Sequence, residues 1–254
     1  LKHYLISIRY LTPLKILNRI LSFVNYCFGK GQFFTAMKPV FISVEPADFC
    51  QLRCPQCPVG MAARNKGTLI EDKVVFDTLN ELKKSLIQVI FYFQGEPLLN
   101  PRLHEYIRFA HEAGIYTSTS TNGMLLNSEN ARKLVESGLD KLIVSVDGTT
   151  QEVYEQYRRG GKLERALDGI RFVQEWKKKL GRQTPFVEMQ FIVFGTNEHQ
   201  IPEVKRLAKI SGADGLALKT AQIYDFEKPN PLHTSLPAYS RYRKLDDGSY
   251  VLKN

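Results

Sequence analysis

Val40-Phe-Ile-Ser-Val-Glu45, followed at once by the loop Cys50-Gln-Leu-Arg-Cys54-Pro-Gln-Cys57-Pro58, is the stretch on which the fold turns. The first run is short and rich in β-branched and aromatic side chains, which predicts a strand over 40–45. The loop after it spaces three thiols as C-x3-C-x2-C. A strand that hands reactive side chains to the loop at its end is the layout of parallel α/β folds, whose ligands bind at the C-terminal edge of the sheet. Outward from this point, further β-rich runs fall at 88–93, 115–120, 141–147, 186–194 and 215–223. Stretches of helical periodicity at 72–86, 101–113, 127–137, 151–179 and 198–211 separate them. Such alternation predicts parallel strands joined by right-handed crossovers. Six units predict an α/β fold, a partial (βα)6 barrel short of a closed eight-stranded one, with a flat doubly wound sheet as the alternative. Asn100-Pro101 and Gly114 bracket one helix, and Asn127 and Gly138 the next.

Upstream of the first strand, Leu14, Leu17, Leu21, Val24 and Phe28 recur at helical spacing behind Pro13. They predict an N-terminal amphipathic helix docked on the main domain through that stripe, with a position on a membrane surface as the second reading. No apolar run approaches the ~20 residues of a membrane span. The chain is thus expected to divide into an N-terminal helical extension (1–39), a core (40–224) and a proline-bearing tail or linker (225–254).

With 254 residues, 43% hydrophobic and 24% charged, the composition is that of a globular protein with one sizeable core. Three of the four cysteines fall within eight positions, where a disulfide framework would scatter them. The clustering predicts a metal site in a reducing, cytoplasmic compartment. The net charge of +9 is spread along the chain, with small clusters at Lys177, Lys178, Lys179 and at Arg241, Arg243, Lys244. This reads as a solvated basic surface, and no nucleic-acid partner is expected.

Thiolates suit iron–sulfur clusters and zinc. A structural zinc site needs four protein ligands, and no fourth lies nearby: Cys27 is far upstream and reads as a buried or idle thiol, and the nearest following histidine is His104. Three ligands on a cubane cluster would leave one iron open to a small molecule, and an open position marks a catalytic metal.

Here the sequence resembles the radical S-adenosylmethionine (SAM) superfamily, over about 40–225. The resemblance implies that Cys50, Cys54 and Cys57 hold a 4Fe-4S cluster and that SAM is the second cofactor. Gln94-Gly95-Glu96-Pro97 is similar to the Gly-Gly-Glu-Pro segment that holds the SAM amino group, with Gln94 in place of the first glycine. Thr121-Asn122-Gly123 resembles the Thr-Asn-Gly strand end, which puts Thr121 and Asn122 among the candidates to line the cofactor site. Ser145-Val-Asp147-Gly148 resembles the Ser-x-Asp-Gly motif. Alternation places Ser145 and Asp147 on one face, suited to a ribose diol, while capping the next helix is the other role open to Asp147. By the same resemblance Arg158 is the candidate for the methionine carboxylate, with Arg159 as fallback and a surface role as the alternative for both. Glu188, Gln190 and Ile192 share a face of the fifth strand, and Gln190 joins the candidate cofactor contacts. In the sixth run, Leu218, Thr220 and Gln222 are read as facing inward and Lys219 outward.

The implied function is reductive cleavage of SAM to a 5'-deoxyadenosyl radical that abstracts hydrogen from a peptide or small-molecule substrate. An electron donor such as flavodoxin or ferredoxin is the implied partner. Val144 to Gly161 is most similar to the branch that carries a C-terminal SPASM domain. That domain uses further cysteines, and none follows Cys57, so the chain is expected to lack it or stop before it. A non-catalytic zinc or iron–sulfur scaffold module is the alternative function.

Overall fold

The computed structural model describes residues 9–28, 37–63 and 66–253. Parts of the N-terminal extension (1–8 and 29–36) and the last residue of the tail lie outside them. Six strands form one parallel sheet: β1 (Phe41–Ser43), β2 (Gln88–Ile90), β3 (Tyr116–Thr121), β4 (Lys141–Ser145), β5 (Phe186–Val193) and β6 (Gly215–Thr220). Each strand pairs with the next one in sequence. A doubly wound sheet reverses its order part-way. The sequential order, with crossovers of one hand, places all helices on one side, so the architecture is that of a partial barrel. Among the described strands β1 and β6 do not pair, and the sheet is open between them.

The helices are α1 (Pro13–Phe28), α2 (Pro58–Met61), α3 (Asp72–Leu82), α4 (Leu103–Glu112), α5 (Ser128–Glu136), α6 (Gln151–Tyr157), α7 (Leu163–Lys179) and α8 (Ile201–Ile210). Asn127 caps α5 by accepting the Asn130 N–H at 2.9 Å. The single helix expected over 151–179 is two: α6 ends at Arg158, and the Gly160-Gly161 turn precedes α7. Gly160 sits at φ 82°, which a side chain would strain. This break holds Arg158 at the sheet edge instead of inside a helix.

The helix-facing side of the sheet is a continuous apolar layer. Val89, Leu142, Val144, Val187, Met189 and Phe191 pack there against Leu79, Ile107, Leu134 and Ile170, all fully buried. Each such side chain contributes roughly 1.5–3 kcal/mol by burial. Opposite-parity residues of β5, Gln190 and Ile192, are only partly buried and face inward, and Ser145 of β4 stands beside Gln190 in register.

Two regions depart from expectation. Helix α1 is docked the other way round. Lys15, Asn18, Ser22 and Asn25 face the domain, and Leu14, Leu17, Leu21, Val24 and Phe28 are exposed. Lys15 is 2% exposed, and its Nζ donates to the Gly114 carbonyl at 2.5 Å. That carbonyl lies just past the C-terminal end of α4, the negative pole of the helix, which draws an ammonium group. Asn18 Nδ2 donates to the Lys38 carbonyl at 2.9 Å. The polar anchors, not the apolar stripe, set the helix orientation. The segment after Ile223 packs back on the sheet end. β7 (Tyr242–Lys244) and β8 (Tyr250–Leu252) form an antiparallel hairpin. The buried Tyr242 hydroxyl accepts the Ile223 N–H at 2.7 Å and donates to its carbonyl at 3.1 Å.

Candidate active site

The site is built where the ends of β1 to β5 meet the cysteine loop. Glu45, just past β1, accepts the N–H groups of Gln94 and Gly95 at 2.6 and 2.7 Å. Gly95 passes directly under the loop: a Cβ there would lie 1.9 Å from the Ala47 carbonyl oxygen. The Glu96 N–H donates to the Phe49 carbonyl at 2.9 Å, a second tie between β2 and the loop. The loop is fastened on its far side by the Arg53 N–H, which donates to the Arg159 carbonyl at 3.1 Å. Gly60 of α2 lets that helix lie against Cys54, whose carbonyl oxygen would be 2.5 Å from an added Cβ.

Cys50, Cys54 and Cys57 line one cavity of about 200 Å³. Gln94, Gly95, Glu96, Thr121 and Asn122 line it from β2 and β3, and Ser145 and Arg158 from β4 and the end of α6. Seven of the nine residues expected to contact a cofactor are therefore gathered with the three thiols. Two are not. Asp147 is 1% exposed and off the cavity wall. Its Oδ2 takes Arg158 Nε at 2.6 Å and its Oδ1 takes the Ile192 N–H at 2.6 Å. Each oxygen thus holds a partner from the chain itself, and through Oδ2 Asp147 fixes the Arg158 guanidinium. It does not cap α6, which Thr150 does through Val153 N–H. Gln190 lines an adjoining cavity instead of the first.

Glu96 is also turned inward. Its Oε1 accepts Thr121 Oγ1 at 2.7 Å and the Leu98 N–H at 3.1 Å, and its Oε2 accepts the Asn122 N–H at 2.8 Å. Burial pushes its pKa up against the pull of these hydrogen bonds. Its main work is to pin the ends of β2 and β3 together. The fallback Arg159 has an exposed side chain and serves through its carbonyl. Glu188 is paired with Lys141 Nζ at 2.9 Å, away from the cavity wall.

Burial works against charge on the sulfurs, and nearby donors work for it. Burial pushes the Cys50 thiol up to about 11 and raises that of Cys54. Asn122 Nδ2 and the Leu52 N–H both donate to Cys50 Sγ at 3.4 Å. Arg158 Nη1 lies 4.0 Å from Cys54 Sγ. Burial alone would lower the Arg158 pKa, but the Asp147 carboxylate beside it holds it well above the ordinary value. A fixed guanidinium and N–H donors aimed at sulfur stabilise charge on a thiolate. Among the described residues, no three His, Cys, Asp or Glu side chains are drawn together closely enough to hold a single metal ion.

The family model of the Radical SAM superfamily matches residues 44–208. The chain belongs to the radical SAM superfamily. Among curated relatives, the PqqA peptide cyclase of Rhodopseudomonas palustris is 25% identical over 76% of the chain and 49% of its own length. The AdoMet-dependent heme synthase of Methanosarcina barkeri is 30% identical over 69% of the chain and 48% of its own length. The chain thus spans about half the length of the curated relatives it matches. Among solved structures, SuiB of Streptococcus suis bound to S-adenosylmethionine superposes with a TM-score of 0.63 at 16% identity, over 78% of this chain and 44% of that one. The structure of anSMEcpe with bound AdoMet gives 0.62 at 19% identity, over 79% and 55%. These likenesses establish the partial-barrel fold. Membership implies SAM and a 4Fe-4S cluster as cofactors, and the radical SAM site fits them: three thiols share a cavity whose donors point at sulfur.

Two residues at the site escaped the sequence reading: Glu45, and Tyr157 on its wall. Ser120, one of the third strand's hydroxyls read as available to a polar ligand, is also on the wall, in register with Ile143 of β4. Lys219 was placed on the wrong face of β6. Leu216 and Leu218 pack into the helix-side core, and Lys219, in register with Ile192, faces the open side. The signal was the alternation of small Gly215 and Ala217 with large leucines, because the larger apolar side chains belong under the helices.

Proposed function

We propose that Cys50, Cys54 and Cys57 carry a 4Fe-4S cluster, that SAM lies in the adjoining cavity, and that the enzyme modifies a peptide or oxidises a small molecule by hydrogen abstraction. The observation that carries this reading is the convergence of three thiols, two N–H donors to Cys50 sulfur and the Asp147-held Arg158 on one cavity. When bound, the two cofactors supply reductive carbon–sulfur cleavage of SAM and removal of a hydrogen atom from the substrate. The chain's own residues bind and orient. Arg158, with Nε spent on Asp147, offers its terminal nitrogens to the methionine carboxylate. The strand end at Gln94 and Gly95 receives the amino group, and Ser145 and Asn122 offer polar contacts to the rest of SAM. Tyr157, packed against Phe194 with ring centroids 4.2 Å apart and the planes tilted by 35°, helps exclude water. PqqA peptide cyclase and the SuiA-bound SuiB structure make a peptide the first substrate class to try. The electron donor is a small redox protein such as flavodoxin or ferredoxin. All four cysteines are free, which suits a reducing, cytoplasmic setting.

Anaerobic reconstitution with iron and sulfide tests the reading. Iron and acid-labile sulfide should be retained in equal amounts, and equilibrium dialysis should show SAM binding. Cys50→Ser, Cys54→Ser and Cys57→Ser should each lose the cluster. Stoichiometric zinc with no SAM affinity would instead support the scaffold alternative and overturn the proposal.

A further inference from the structure

A second cavity, of about 280 Å³, adjoins the first, and Cys57, Gln94, Tyr157 and Ile192 line both. Its remaining wall carries Gln56, Gln190, Lys219, Thr220, Gln222 and Arg241 among others, and no aspartate or glutamate. Lys219 reaches it because β6 is in register with β5 at Ile192. Arg241 arrives from the segment after β6 and is oriented by Nε donating to Thr220 Oγ1 at 3.0 Å. That bond leaves both terminal nitrogens free of the hydroxyl. Among the described residues neither Lys219 nor Arg241 is in an ion pair. Asp225 lies close in sequence, but it accepts from Gln56 Nε2 at 3.2 Å and Asn230 Nδ2 at 3.3 Å and is not on the wall.

Two unpaired cations and a ring of side-chain amides, backed by Tyr157, Ile192 and Phe194, make a seat for an oxyanion. An isolated lysine on a strand end would be an ordinary solvated charge. Here a second cation from a separate segment converges on the same concavity, beside the thiol of Cys57. We propose that Lys219 and Arg241 bind a carboxylate or phosphate group of the substrate and so present its neighbouring carbon to the SAM cavity. This rests on the proposed function, since it takes the first cavity as the SAM site. It narrows the substrate to an anionic molecule or an acidic peptide side chain.

Isothermal titration of the whole chain with inorganic phosphate and with acetate, at constant ionic strength, tests the seat, with SAM titrated in parallel. At least one of the two anions should bind, and phosphate alone or acetate alone then identifies the group. Lys219→Gln and Arg241→Gln should each weaken that anion about tenfold, the equivalent of one lost charged hydrogen bond. Lys219→Arg should keep most of the affinity, and SAM affinity should stay within about twofold in all three variants. If neither anion binds the unaltered protein, or if both glutamine variants bind as it does, the seat is wrong. Loss of SAM binding in the unaltered protein would sink the functional reading separately, with the anion result judged on its own variants.

Discussion

Asp147 is tied into the chain on both of its carboxylate oxygens. Its carboxylate is fully buried between Arg158 Nε and the Ile192 N–H. Removing one partner of such a pair leaves an uncompensated buried charge, which costs about 3–5 kcal/mol. Asp147→Asn should therefore lower urea stability by roughly that much, and SAM affinity with it. Gly95→Ala drives a Cβ against the Ala47 carbonyl and should displace the loop that carries the thiols. A cost of about 1–3 kcal/mol and poor retention of iron on reconstitution are expected, read by thermal melting and metal analysis. At this scale the cysteines, Arg158 and the strand-end motif were legible because their spacing is local. Glu45 was not: it acts through Gln94 and Gly95, some fifty residues away in sequence, and no short-range pattern marks such a partner.

Elements were legible where sequence carries punctuation. Asn127 and Gly138 marked both ends of α5, and the positive φ of 80° at Gly138 is what a glycine there supplies. The break between α6 and α7 was masked by helical periodicity on both sides, although Gly160-Gly161 was in plain view. The face of β6 was misread because both of its alternating sets contain apolar residues, so parity alone could not decide. The segment after β6 is fastened by Glu198, which accepts Thr234 Oγ1, Ser235 Oγ at 2.5 Å and Ser235 N–H at 2.8 Å. Burial would raise its pKa, but these hydrogen bonds outweigh burial and hold it below the ordinary carboxylate value of 4.5. A depressed acid stabilises the fold above its unfolded pKa, and that stabilisation fades as pH falls through the folded one. Amide exchange over 232–240 should therefore speed up below about pH 4.5, beyond the intrinsic rate, and Glu198→Gln should remove that pH dependence.

For the whole molecule, the sequential strand order puts the apolar layer on the outside of the sheet, under the helices, and leaves the inner edge for chemistry. Stability and function are thereby housed on opposite faces. Phe191→Ala, on the helix side, should cost about 3–5 kcal/mol in urea denaturation while leaving SAM affinity near normal below the transition. Helix α1 stands apart from this economy. With Lys15 and Asn18 turned inward, Leu17, Ile20 and Phe23 are offered to solvent at 52%, 54% and 65% exposure. Two molecules in solution should then attract each other more than their net charge of +9 would allow. Static light scattering should return a low or negative osmotic second virial coefficient. The double change Leu17→Glu with Phe23→Glu should make it positive without moving the melting temperature by more than about 2 °C, because neither side chain is part of the core. On this account one buried lysine, by taking a carbonyl as its partner, turns the apolar stripe of α1 to solvent and sets the sign of the attraction that light scattering reads.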